Sequence, residues 1–353
     1  MDRLLSRRGF ILGASALAAL PLLDGCTARR DAARHGSAPS RGSLVGEEIS
    51  ALANEASSLL VWSTYWDGTG DSSIISRHAR QISAASLFAA SFSDGELVVP
   101  DALPRTMRRI RADEGLEDAT VFLSVVNDVE RDGKTVQKDT EILRTLFETD
   151  ASCARHAREL VKLARDGGYD GIEVDYEKIR KDTALWERFL VFERALIERA
   201  GDAGLRVRVV LEPSTPVDEV GFLDGAEYSV MCYNLCGVGT EAGPKADCAF
   251  LDEMAGRFGG LPGVSFALAN GGYSWKAGTT EAAQVTRAEA ERLIRQNKAK
   301  PFRDDASGAL SFACRVDGES REIWYADERT LALWAKRLAR ALGAKADICL
   351  WRL

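Results

Sequence analysis

The stretch "GYDGIEVDYEKI", residues 168–179, sets four acidic side chains among β-branched and aromatic ones. Asp170, Glu173, Asp175 and Glu177 alternate with Ile172, Val174 and Tyr176. An alternation of period two is that of a β-strand, whose successive side chains leave opposite faces. One face is therefore apolar and the other carries Glu173, Asp175 and Glu177. Carboxylates seldom enter a core unless they are paired or put to use. A structural polar cluster or a cation site is the plain alternative to a reaction centre.

Working outward, seven more β-rich runs appear: "LLVWSTYW" (59–66), "SLFAASFS" (86–93), "TVFLSVVN" (120–127), "RVRVVLEP" (206–213), "EYSVMCYN" (227–234), "VSFALANGG" (264–272) and "ADICLWRL" (346–353). Helical periods separate several of them, such as "CARHARELVKLARDGG" (153–168), which stops on glycines, and "TLALWAKRLARALGA" (330–344). Eight strands alternating with helices predict an α/β fold, a (β/α)8 barrel over residues 51–353. A doubly wound open sheet competes, but "TYWDGTG" (64–70) is not its Gly-rich phosphate turn. The long gap before the last strand holds two strand-like runs around Asp317-Gly318, which predicts a small α+β insertion between strands 7 and 8 at about 276–326.

In a barrel strand, side chains alternate between the interior and the helix layer. With Ile172, Val174 and Tyr176 toward the helices, Gly171, Glu173, Asp175 and Glu177 face inward. Inward carboxylates at this spacing lie roughly 6–7 Å apart. Burial and mutual repulsion disfavour full ionisation, so at least one should hold a proton near neutrality. Glu177, nearest the strand's C-terminal end, is expected to open onto the mouth of the barrel, as a general acid requires.

At these residues the sequence resembles glycoside hydrolase family 18, the chitinases, endo-β-N-acetylglucosaminidases and related peptidoglycan hydrolases. "DGIEVDYE" (170–177) is similar to that family's DGxDxDxE signature, with Glu173 where the family usually has Asp. "MCYN" (231–234) resembles its strand-6 element and "LWRL" (350–353) its strand-8 tryptophan, and "ALANGGYSW" resembles the spore-germination-type branch. The resemblance implies Glu177 as general acid/base, Asp175 orienting the substrate's N-acetyl group, and Glu173 coupled to Asp175. It further implies Tyr233 bonding the acetamido oxygen, Asn234 and Met231 beside it, and Trp351 as the floor of the −1 subsite. The expected activity is retaining hydrolysis of β-1,4 bonds in N-acetylglucosamine-containing glycans with the substrate's acetamide as nucleophile. The other class is a non-catalytic glycan-binding lectin. Trp62, Tyr65, Trp66, Tyr273 and Trp275 fall at or just past presumed strand ends and are candidates for stacking on sugar rings.

Composition limits the alternatives. With 46% hydrophobic and 28% charged residues, the 353-residue chain reads as globular. A net charge of −7 and no basic cluster argue against nucleic-acid binding. His35, His78 and His156 are far apart and beside no CxxC pair, so no metal site is expected, nor any cofactor. "SRRGFIL" (6–12) with the apolar run to Leu23 resembles a twin-arginine export signal over residues 1–25. "LLDGC" (22–26) resembles a lipobox whose Cys26 would be lipidated, plain signal-peptidase cleavage being the alternative. Residues 26–50 then read as a flexible tether, holding a monomeric domain at a cell surface or facing the periplasm. The cysteines after Cys26 read as buried thiols, with a Cys232–Cys236 disulfide as a second possibility.

Overall fold

A computed structural model describes residues 41–66, 70–116 and 119–353. The expected signal segment, Cys26 and the first part of the expected tether lie outside the described residues. Eight parallel strands close into a barrel: β1 (Ser58–Thr64), β2 (Ala84–Ser93), β3 (Thr120–Arg131), β4 (Gly171–Asp175), β5 (Arg206–Leu211), β6 (Glu227–Met231), β7 (Ser265–Ala269) and β8 (Asp347–Trp351). Each pairs with its sequence neighbours, and β8 returns to β1 with Leu60 opposite Cys349. The expected barrel strands are all present.

The helices are α1 (Arg41–Glu55), α2 (Gly70–Arg77), α3 (Ala102–Arg111), α4 (Thr140–Leu146), α5 (Asp150–Asp166), α6 (Thr183–Asp202), α7 (Cys248–Phe258), α8 (Arg287–Asn297) and α9 (Glu328–Leu342). Side-chain caps start several of them. Thr149 and Ser152 form a capping box on α5, and Asp182, Asp247 and Asp327 accept from the third residue of α6, α7 and α9. Among the described residues no helix is long and apolar enough to cross a membrane.

Three features differ from expectation. The tether expected over 26–50 gives way to helix from Arg41 onward, because Val45, Ile49 and Leu52 recur at helical spacing and bury against α9, α2 and β1. The β5–β6 connection, residues 212–226, contains no α-helix. It is tied down instead by Tyr228, whose hydroxyl accepts from Leu223 N–H and donates to Glu193 on α6, both at 2.7 Å. The insertion starts earlier than 276: Gly271 (φ 59°) turns the chain out of the barrel directly after β7. Its antiparallel sheet runs 282–285, 271–276, 319–326, 310–316 and 302–303, with α8 packed on it. Asp317 and Gly318, both at positive φ, make the anticipated hairpin turn.

The core has two compartments. Ile172, Val174 and Tyr176 join the layer between barrel and helices, as the alternation requires. Leu60, Trp62, Phe88, Phe122, Met231, Tyr233 and Trp351 belong to a separate cluster inside the barrel. Gly171 also faces inward, where a Cβ would meet the Phe122 ring at 2.5 Å and the Arg206 carbonyl at 2.9 Å.

Candidate active site

Glu173, Asp175 and Glu177 are all fully buried. They climb β4 toward its C-terminal end, the end at which barrel enzymes place their chemistry. Strands β2 and β3 extend past the barrel at this end as hairpins, pairing with residues 96–98 and 134–136.

Glu173 sits deepest and is bound across the barrel. Its Oε1 accepts from the Trp62 indole N–H on β1 at 2.6 Å and from the Ser86 hydroxyl on β2 at 2.9 Å. Opposite Glu173 in the β4–β5 register, Arg208 pairs with Glu227 at 3.1 Å, and its guanidinium stands 4.8 Å from the Phe122 ring centroid. Burial works against the Arg208 charge, but the surrounding Cys349, Glu173 and Glu227 outweigh it and raise its pKa. A buried cation thus faces the acidic strand from inside the barrel.

Glu177 lies two residues past Asp175, beyond the strand. Asn127 on β3 fixes its backbone twice: Oδ1 accepts from Glu177 N–H at 3.0 Å and Nδ2 donates to Glu177 C=O at 3.1 Å. The expectation that Glu177 opens onto the mouth is corrected here. Its carboxylate is covered by Lys138, whose Nζ stands 3.0 Å from Oε2. Beside it Glu212, at the end of β5, accepts from Lys178 N–H at 2.9 Å and pairs with Arg180. Burial and the neighbouring Glu177 charge push the Glu212 pKa up, against the pull of Arg180.

The other anticipated residues divide into two groups. Met231, Tyr233 and Trp351 lie buried in the same interior cluster as Trp62 and Phe88, with Trp351 edge-on to Phe88 at 5.0 Å and to Trp62 at 5.9 Å. Asn234 (φ 63°) accepts from the Tyr273 hydroxyl at 3.0 Å, which joins the insertion to the end of β6. Trp62 and Tyr273 are therefore interior anchors, not open platforms, and Trp275 is buried with its indole N–H on Thr240 C=O at 3.1 Å. Tyr65 and Trp66 alone of these candidates are open, at 44% and 36% exposure, stacked edge to face with each other at 4.9 Å. The six described cysteines, Cys232 and Cys236 included, are free thiols, which removes the disulfide reading. Cys232 points into the apolar layer outside the barrel, away from the pocket it was to shape.

Sequence reasoning passed over Arg208, Asn127, Lys138 and Glu212. Arg208 carried a signal, since "RVRVV" alternates and puts the arginines opposite the valines. Lys138 carried none, because its position depends on where a surface hairpin folds back. Among the described residues, no group of three His, Cys, Asp or Glu side chains is arranged to hold a metal ion.

No family model and no curated protein matches the sequence. Solved structures do match in fold. A chitinase from Chromobacterium violaceum aligns with TM-score 0.69 and 20% identity over 84% of this chain and 94% of that one. The spore cortex-lytic enzyme SleL of Bacillus megaterium aligns with TM-score 0.68 and 17% identity, over 84% and 70% of the two chains. A GH18 chitinase from Cycas revoluta, solved in complex with (GlcNAc)3, aligns with TM-score 0.65 and 15% identity over 84% and 95%. At these identities the likeness is one of fold, and the (β/α)8 barrel is the architecture shared.

Proposed function

We propose that the protein is a retaining glycoside hydrolase acting on β-1,4-linked N-acetylglucosamine-containing glycans. The observation that carries this reading is the file of three buried carboxylates along β4 and just past its C-terminal end, in a barrel that also gathers Tyr233 and Trp351 inside it. Most retaining glycosidases use two carboxyl groups at the bond, one acid and one nucleophile. Here the substrate's own 2-acetamido oxygen would supply the nucleophile. Glu177 donates a proton to the glycosidic oxygen as the bond to the anomeric carbon breaks. The acetamido oxygen closes onto that carbon to give an oxazolinium ion, held by Asp175 and Tyr233. Water then adds to the same carbon as the acetamido oxygen leaves it, Glu177 takes the water's proton, and the two displacements together retain the configuration. Glu173 supports Asp175, and Trp351 underlies the reacting sugar.

The N-terminal segment supports export through a twin-arginine signal with lipidation at Cys26, which would place this activity outside the cytoplasmic membrane. Turnover of a fluorogenic chitobioside, with Glu177→Gln as control, tests the reading. Loss of at least about a hundredfold in the variant is expected, since positioned acid catalysis contributes on that order. Wild-type protein that binds chito-oligomers and releases nothing would instead establish a glycan-binding lectin.

A further inference from the structure

One buried cation faces the proposed acid directly and has no part in the reaction as drawn. Lys138 follows the hairpin that extends β3, and its side chain is 6% exposed against 0% for Glu177. The fold specifies this placement. Lys138 is held in the left-handed region (φ 55°), with its N–H donating to Asp128 Oδ1 at 2.9 Å. The next residue, Asp139, donates its N–H to Asn127 C=O at 2.8 Å, and its own C=O accepts from Asn127 Nδ2 at 3.3 Å. Asn127 is also the residue that clamps the Glu177 backbone. A single side chain on β3 therefore fixes both the loop that carries the ammonium and the loop that carries the carboxylate.

We propose that Lys138 sets the protonation state of Glu177, holding it as the carboxylate in the substrate-free protein and confining acid catalysis to low pH. This rests on the reading of Glu177 as the general acid. The charges around the carboxylate oppose one another. Asp175 at the end of β4 and Glu212 just past β5 favour the protonated form by repulsion, and burial does the same. Arg180 is engaged with Glu212, and Asp139 with Arg131 at 2.7 Å. Lys138 acts the other way, at ion-pair distance and out of water, where attraction between opposite charges is strongest.

Lys138→Met keeps the stem and drops the charge; Lys138→Arg keeps the charge. Two readouts are taken from the full chain: the pH–rate profile on chito-oligosaccharide, and the Glu177 carboxyl titration by carbon-13 NMR, assigned by difference with Glu177→Gln. Removing the cation is expected to move the alkaline limb and the carboxyl midpoint upward by at least about one unit, while Arg stays with the wild type. Superimposable titrations in wild type and Lys138→Met would overturn the proposal. The wild type tests it without any variant: the Glu177 carboxyl is expected to be ionised in the substrate-free protein at neutral pH, and finding it protonated there overturns the proposal. Should Glu177→Gln retain full turnover while the carboxyl still responds to Lys138, the catalytic reading falls and the pairing stands.

Discussion

The indole N–H of Trp62 donates to Oε1 of Glu173 at 2.6 Å, a bond that crosses the barrel from β1 to β4. It gives a physical reason for glutamate at a position where aspartate was the expected residue. The longer side chain reaches both Trp62 and Ser86; an aspartate, one methylene shorter, would withdraw from them. Hydrogen bonds to a buried charge are worth about 1.5–3 kcal/mol each, and a buried carboxylate left short of donors costs more than it gained. Glu173→Asp is therefore expected to lower stability by about 2 kcal/mol in denaturant titration and to reduce kcat/KM. Unchanged stability would mean that the extra length serves another purpose.

Arg208 and Glu173 are a second interior relationship with a measurable consequence. The guanidinium is buried among Glu227, Cys349 and the Phe122 ring, and it contributes to the field at Glu173. Arg208→Met should cost about 3–5 kcal/mol, because it strands a buried negative charge. Adding Glu173→Gln removes that charge, so the double variant should recover part of the loss. Additive costs would show that the two residues are not coupled.

The sequence was most legible where period two was strongest. Residues 171–177 alone assign Ile172, Val174 and Tyr176 outward and the carboxylates inward; the first three lie in the outer layer, and Glu173 bonds to Trp62 of the interior cluster. Exposure was less legible, because a strand-end aromatic has the same local pattern whether it faces solvent or a neighbouring element. Trp62 and Tyr273 are buried by partners at Glu173 and Asn234, 111 and 39 residues away in sequence. Lys138 was invisible for the same reason: its ion pair with Glu177 is made by a hairpin, whose course no periodicity encodes. The helix from Arg41 was masked by polar composition, although Val45, Ile49 and Leu52 already carried its spacing.

Two carboxyls remote from the site should govern the pH dependence of stability. Burial pushes Glu48 on α1 up to about 7, against the pull of Asn270 and Arg287. Burial likewise pushes Glu193 on α6 up to about 7, its Tyr228 hydrogen bond acting against it. A carboxyl with a raised folded pKa binds its proton more tightly in the native state than in the unfolded one. Its favourable contribution is complete below the ordinary value of 4.5 and is lost as pH rises to about 7. Each shift corresponds to on the order of 3 kcal/mol. Glu48→Gln keeps an acceptor for Asn270 Nδ2, which lies 2.7 Å from Oε2. The thermal midpoint of wild type should therefore fall more between pH 5 and about 7 than that of Glu48→Gln. Parallel curves would place the Glu48 titration elsewhere.

Trp62 and Trp66 lie near one end of the same strand yet should fail in different ways when truncated. Trp62 is buried inside the barrel, bonded to Glu173 and edge-on to Trp351. Trp62→Ala leaves a large cavity and removes a donor from a buried carboxylate, at a cost of about 3–5 kcal/mol. Trp66 is 36% exposed, set edge to face against Phe88 at 5.8 Å, with the Arg352 guanidinium 5.5 Å from its ring centroid. If the barrel mouth binds a glycan chain, this indole offers a stacking face to a sugar ring outside the reacting subsite. Trp66→Ala is then expected to raise KM for longer chito-oligomers severalfold while kcat and the thermal midpoint stay close to wild type. A fall in kcat at constant KM would instead assign Trp66 to the reacting subsite, and no kinetic effect at all would remove it from the binding surface.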